Sequence, residues 1–400
     1  MSGTNFLTGI FIARFLGIEE FGIYTLAWMM ALFVNSIQMA LISLPMMTVG
    51  PKQSAEDKRN YYGAVVLHQL VFSMLSSLCL WLGVFYSERL NPEWGISHLA
   101  SPLAMASFFF QNQDFLRRLC FTENKPIFSL ISDVISYFGR MVFLLLLLLY
   151  ELLTISSVLW VSAGCSALAL IIGFSQFNKL VFSVTKTLEV LKRHWVLSKW
   201  MVASAIMQWT SGNYFIIAAG IVLGPVAVGA LKAAQNIIGV THILFQGLDN
   251  IVPSTASRIF AKGSVEALKK YLARLSIWGG AGITIIAFLV IIFPEYLLNV
   301  FYGKQYQGYE DVLRWYAIYY VLMFFSLAKR YGLRVIEKTE SIFLSHILMT
   351  IFSIFFANYS IEKLGIYGAV IGMIGTQIIM LVCVQLFFNY HIRIITVGRD

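Results

Sequence analysis

The residues of this chain that could do chemistry are few, and most are charges placed where charge is costly. Arg14, Arg140, Lys232, Arg314, Asp114, Asp133 and Asp249 lie within or at the edges of long apolar runs. A charge at mid-bilayer costs at least about 2.5–3.5 kcal/mol on insertion scales, so such residues face protein or a water-filled cavity. Arg140 is the deepest, some thirteen residues into its run and too far in to snorkel easily. Asp133 stands seven residues earlier, which on a regular helix is the same face about 10 Å away. Two readings stay open for Arg140: a structural charge buried between helices, or a cation that faces a cavity and attracts an anionic substrate. Arg314 follows Glu310 and Asp311 and is expected to snorkel, while Asp114 and Asp249 are expected to pair with neighbouring loop cations.

Uncharged polar residues form stripes at helical spacing. Lys232 is followed at i+3 and i+4 by Gln235 and Asn236. Ser204, Gln208 and Ser211 recur at i, i+4 and i+7, and Asn35 and Gln38 form a shorter stripe. Such stripes serve equally as interhelical hydrogen-bond glue or as cavity lining. His68, His242 and His346 have no ligand-spaced partner, so core histidines are the expectation, with a protonatable coupling residue as the sharper alternative. Cys79, Cys120, Cys165 and Cys383 show no CxxC spacing and read as small hydrophobes. No metal or cofactor is expected, and the absence of a phosphate-binding loop leaves gradients or mass action as the energy source.

The elements that must position these residues are set by composition. Of 400 residues, 58% are hydrophobic and 12% charged, with a mean hydropathy of +0.76. A soluble domain needs roughly a quarter of its residues charged, so soluble enzymes, disordered chains, disulfide modules and nucleic-acid binders are excluded. The fold class is all-α and polytopic. Twelve runs are long enough to cross a bilayer or nearly so: 1–16, 21–46, 62–86, 96–115, 127–149, 153–177, 199–223, 226–252, 272–293, 310–329, 341–360 and 366–390. With the N-terminus cytoplasmic, inward loops and the tail hold 22 of the 29 basic residues, and outward loops hold three. That bias supports the count and places both termini in the cytoplasm. The first run is short, since sixteen residues of helix reach about 24 Å.

The chain also repeats itself. Leu16-Gly17-x4-Gly22 and Leu223-Gly224-x4-Gly229 are each preceded by an Asn (Asn5, Asn213) and followed by a Pro (Pro45, Pro253) at matching distances. A weaker echo pairs Arg118-LCFTENKP-Ile127-Phe128 with Arg334-VIEKTES-Ile342-Phe343. The offset is 207 to 216 residues throughout, close to half the chain. An even number of spans per half gives two six-helix lobes of like orientation, 1–177 and 199–400. The linker 178–198 contains a basic amphipathic stretch expected on the cytoplasmic surface.

The opening ARFLGIEEFGIYTLAW, the two-lobed layout and the pattern LGPVAVGALKAAQ…VPSTASRIFAKG resemble the Wzx-type O-antigen and polysaccharide flippases. These belong to the multidrug/oligosaccharidyl-lipid/polysaccharide (MOP) superfamily, which also holds the MATE drug antiporters. The resemblance covers essentially the whole chain. It implies that the first, second, seventh and eighth helices line a central cavity, which would bring Arg14, Asn35, Gln38, Gln208, Lys232, Gln235 and Asn236 into contact with substrate beside Arg140 and Asp133. It implies an undecaprenyl-diphosphate-linked oligosaccharide as cargo and the bacterial inner membrane as location. Membrane lipids, a proton or sodium coupling ion, and the polysaccharide polymerase and chain-length machinery are the partners it implies. A monomer suffices, since two lobes enclose a pathway in one chain. The chain departs from the family in its short first span, as though about eight residues were absent. A MATE-like multidrug antiporter is the alternative. It needs membrane acids, and the one deep acid here is Asp133. An enzyme, such as a polymerase or glycosyltransferase, is disfavoured because the longest outer loop, 294–309, is short and carries no metal or nucleotide motif.

Overall fold

The computed structural model describes residues 2–90, 96–175, 180–262 and 265–397. Helices follow one another in the order α1 (Ser2–Leu16), α2 (Ile18–Gln38), α3 (Leu44–Val49), α4 (Ala55–Phe85), α5 (Ser87–Leu90), α6 (Ala100–Thr122), α7 (Pro126–Asp133), α8 (Gly139–Leu149), α9 (Ile155–Phe174), α10 (Val184–Leu223), α11 (Pro225–Gly239), α12 (His242–Lys262), α13 (Val265–Ile292), α14 (Pro294–Tyr302), α15 (Glu310–Val335), α16 (Thr339–Leu364) and α17 (Ile366–Val397). No strand occurs among the described residues. Lys179, the boundary at 177/178 and Arg399 lie outside the described residues, as do the side chains of Asn5 and Lys262.

Each of the twelve apolar runs is mainly helical where the structure describes it, but their standing as spans needs correction. Among the described residues nine helices are long and apolar enough to cross a membrane, or ten if the bent pair α11–α12 is one span. The two that fall short do so for different reasons. In α1 only the short stretch Phe6–Leu16 is apolar. In α6 the consecutive Gln111, Asn112, Gln113 and Asp114 are all buried in protein, so the helix can be polar without exposing polar groups to lipid.

Local signals explain the breaks. Pro126, Pro225 and Pro294 start helices at positions whose N–H would be unpaired anyway. Thr154 opens α9 with a reciprocal cap, its Oγ1 accepting from Ser157 N at 3.1 Å while Ser157 Oγ accepts from Thr154 N at 2.8 Å. Two long helices carry a π-helical turn, Met39–Ser43 before α3 and Val134–Phe138 before α8.

The backbone carries the repeat further than the sequence does. Gly17 (φ 97°) and Gly224 (φ 86°) are both left-handed, 207 residues apart. The turns after α6 and α15 use Asn124 (φ 54°) and Glu337 (φ 61°) in one motif, with Lys125 N donating to Cys120 O and Lys338 N to Leu333 O, each at 2.8 Å. This is the Schellman ending of a helix. Glu151 (φ 58°) and Gly365 (φ 58°) then pair after α8 and α16.

Contacts group the chain, apart from its first five residues, into two compact units: Ala27–Ile206, and Phe6–Leu26 together with Met207–Asp400. The first unit has a core of Ile42, Met46, Tyr61, Val65, Phe115 and Leu119. The second buries Leu231, Ala234, Tyr316 and Tyr320 completely or nearly so. Glycines allow its closest approaches. A Cβ on Gly22 would run into the Pro225 carbonyl oxygen, and one on Gly229 into the Ile18 carbonyl oxygen, so α2 and α11 meet backbone to backbone in a reciprocal pair. Gly368 and Gly372, the GxxxG pair of α17, likewise press on Ser360 and Phe215.

Candidate functional site

Arg140 is the second residue of α8, just beyond the π-helical turn, and is only 3% exposed. Its guanidinium carbon lies 5.9 Å from the Trp28 ring centroid and 5.7 Å from that of Tyr137. Aromatic faces suit a planar, weakly hydrated cation, and the attraction grows once water is gone. No ion pair joins Arg140 to a carboxylate among the described residues, and its Nε is buried without a hydrogen-bond partner. The expectation that Asp133 shares its face is corrected. The π-helical turn between them holds one extra residue, so seven positions no longer return to the starting face. Asp133 instead accepts from Gln113 Nε2 at 3.4 Å.

Around these two residues the first unit holds a buried polar network that sequence reading found only at one edge. Gln38, fully buried, donates from Nε2 to Gln69 Oε1 (2.6 Å) and to Ser43 Oγ (2.9 Å). Asn112 Nδ2 donates to Ser73 Oγ (2.9 Å), Ser76 Oγ to Gln111 Oε1 (3.3 Å), and Gln113 Nε2 to Ser132 Oγ (3.1 Å). Several of its atoms have no partner, Gln38 Oε1, Gln69 Nε2 and Gln113 Oε1, and the same holds for Asn35 Oδ1 and Ser136 Oγ elsewhere in the unit. An unpaired amide in an apolar interior is costly, and these atoms retain hydrogen-bonding capacity that the protein itself does not use. Its sequence signals are the Gln111–Asp114 run and the α4 stripe of Gln69, Ser73 and Ser76 at i, i+4 and i+7. Asp114 takes no part in it. It pairs with Arg117 (2.7 Å) and Arg118 (2.9 Å), expected in a loop but lying one turn further along α6 itself.

The second unit holds the remaining candidates, more widely spread. Lys232 on α11 is half-buried and donates to Gln235 Oε1 at 2.8 Å, which realises the expected i, i+3 pair. Asn236 lies against Gly9, where a Cβ would sit 2.9 Å from its Nδ2. Arg14 is exposed and donates to Val300 O (2.7 Å) in the last turn of α14. A cation there caps a helix C-terminus, a structural task sufficient to explain it. Gln208 is exposed, while Ser211 bonds His346 Nδ1 (3.2 Å), so that stripe supplies interhelical glue at its C-terminal end. His242 bonds Tyr320 Oη at 2.8 Å. Arg314 pairs with Asp311, and Asp249 accepts from Tyr331 Oη (2.9 Å) and lies 3.7 Å from Arg334. Among the described residues no group of His, Cys, Asp and Glu is arranged to hold a metal.

With this geometry in hand, the likenesses of the chain can be placed. Residues 200–359 match the MatE family model. Among solved structures, an inward-facing multidrug resistance MATE transporter of the MOP superfamily aligns with a TM-score of 0.80 at 15% identity, covering 98% of this chain and 94% of that one. An outward-facing multidrug resistance MATE transporter aligns at 0.64 with 16% identity, covering 98% and 92%. A MOP superfamily transporter from Pyrococcus furiosus, described as having a binding pocket of reverse polarity, aligns at 0.66 with 14% identity, covering 98% and 91%. No curated protein matches the sequence. The chain therefore has the fold of these MATE transporters.

Proposed function

We propose that this protein is a membrane transporter that exposes its substrate site alternately to the two faces of the membrane. The observation that carries this reading is the alignment of 98% of the chain with transporters of the same fold in both inward-facing and outward-facing forms. The cargo is a further step. The MatE match and the multidrug titles of the similar structures favour a MATE-like, cation-coupled drug antiporter.

A second reading has its own support in the charges. Arg140 is buried among aromatic rings without a carboxylate partner, Lys232 is held by a neutral amide, and the buried Asp114 is already neutralised by Arg117 and Arg118. Cations of this kind suit a lipid-linked oligosaccharide diphosphate, whose sugar hydroxyls would meet the polar network. The reverse pocket polarity named for the P. furiosus structure supports such variation on this fold.

One experiment separates the two. Cells lacking the gene are assayed for surface polysaccharide, for lipid-linked sugar on the inner leaflet and for sensitivity to cationic dyes. Lost polymer with accumulated lipid-linked units supports the flippase, and dye sensitivity with normal polymer supports the antiporter. Absence of both changes would count against transport of either cargo. In the flippase case Arg140→Ala should lower export at least about tenfold, the scale of one lost charge-assisted contact. Arg14→Ala, which loses only a helix cap, should leave export nearly intact.

A further inference from the structure

Helix α10 is 40 residues long, so it extends about 60 Å, roughly twice the hydrocarbon thickness of a bilayer. Its C-terminal part holds the span expected at 199–223, and its first fifteen residues have another task. They are fastened to the first unit on one side. Val181 N donates to Arg59 O at 3.3 Å, and Gly63 gives the room in which the Val181 carbonyl lies. Val190 enters the core beside Tyr62 and Val65, and the buried His194 bonds Tyr61 Oη at 2.8 Å. Tyr61 follows the basic Lys58 and Arg59 near the start of α4, which puts this half of α10 at the depth of the inner membrane interface.

The side turned away from the protein is apolar. Val184, Leu188, Leu191 and Trp195 follow i, i+4, i+7 and i+11, one face of a helix, and they are 77%, 56%, 46% and 56% exposed. Lys192 and Lys199, both exposed and seven residues apart, border that face. Neither forms an ion pair among the described residues, whereas the acid nearby, Glu189, is held by Lys186 at 3.0 Å. Lys199 Nζ lies 6.0 Å from the Trp200 ring centroid, and an apolar stripe edged by ammonium groups without a carboxylate is the pattern of a helix that lies in an interface of negative charge.

We propose that this face of α10 binds anionic phospholipid of the inner leaflet, with the stripe entering between acyl chains and Lys192 and Lys199 meeting the headgroup phosphates. The assignment is independent of the cargo the protein carries. Because 184–206 belongs to the first compact unit and 207–223 to the second, lipid held here acts on a helix that both units share.

The full chain is reconstituted into phosphatidylcholine vesicles containing increasing fractions of brominated phosphatidylglycerol or brominated phosphatidylcholine. Quenching of Trp195 is read as the difference between the unsubstituted chain and Trp195→Phe. The anionic lipid should half-quench at a mole fraction several-fold lower, roughly fivefold for each lysine engaged. Lys192→Gln with Lys199→Gln should merge the two curves and leave the phosphatidylcholine curve in place. Coincident curves in the unsubstituted chain, a difference that survives the double substitution, or no quenching by either lipid would each overturn the assignment.

Discussion

At the scale of single residues, the polar interior of the first unit sets the strongest constraint. Gln38 and Gln69 are 0% and 1% exposed and share a 2.6 Å hydrogen bond, yet each keeps one polar atom without a partner. Removing one amide strands the other, a cost of about 1–3 kcal/mol, whereas removing both leaves two apolar side chains that can pack. Gln38→Leu is therefore expected to lower the stability of the full chain in mixed micelles by roughly 1–2 kcal/mol, as is Gln69→Leu, with the pair losing clearly less than the sum. Strict additivity would mean that the amides do not support one another. Arg140 follows the same logic with a charge. Sequence placed it deep in a span, and the structure adds the rings of Trp28 and Tyr137. What sequence could not supply was the relation to Asp133, because a π-helical turn has no composition of its own by which to recognise it.

At the scale of elements, glycines decide where helices touch. The Leu-Gly-x4-Gly landmarks were legible as a repeat, and the left-handed φ of Gly17 and Gly224 gives the first glycine of each its reason. The reason for the second lies in a contact that sequence cannot show, Gly22 against Pro225 and Gly229 against Ile18. Adding a methyl group there forces backbones apart, and overpacking of this kind costs about 1–3 kcal/mol. Gly83 and Gly282 are helical and have open space around them. Alanine at either should be neutral or stabilise by up to about 1 kcal/mol through helix propensity. Thermal unfolding of the four alanine variants in detergent checks the contrast: Gly22→Ala and Gly229→Ala should melt several degrees lower than the parent, and the other two should not. Equal behaviour of all four would remove the glycine pair as the reason α2 docks on α11.

At the scale of the whole molecule, the charge distribution and the hydropathy of the helices give different counts of spans, and the charges decide. By length and apolarity nine helices qualify, or ten with the bent pair, and α6 is not among them. Yet Lys52 precedes α4, Lys58 and Arg59 lie in its first turns, and Arg117, Arg118 and Lys125 follow the membrane portion of α6. If α6 did not cross, these two clusters would lie on opposite sides, and every later loop would be inverted relative to the positive-inside rule. The buried run Gln111–Asp114 shows how a crossing helix can be polar: its amides face other helices, and hydropathy averaged along a sequence cannot see that. We therefore expect α6 to span and the C-terminal end of the chain to lie on the same side as Lys52, in the cytoplasm. Four single cysteines placed in a background lacking Cys79, Cys120, Cys165 and Cys383 test this. On spheroplasts an impermeant maleimide should label Leu152→Cys and Lys363→Cys, and should reach Lys52→Cys and Lys338→Cys only after permeabilisation. Labelling of Lys52→Cys and Leu152→Cys from the same side would mean that an even number of crossings separates them. The three crossings assigned to α4, α6 and the α7–α8 pair would then be wrong by one, with α6 the helix to give up.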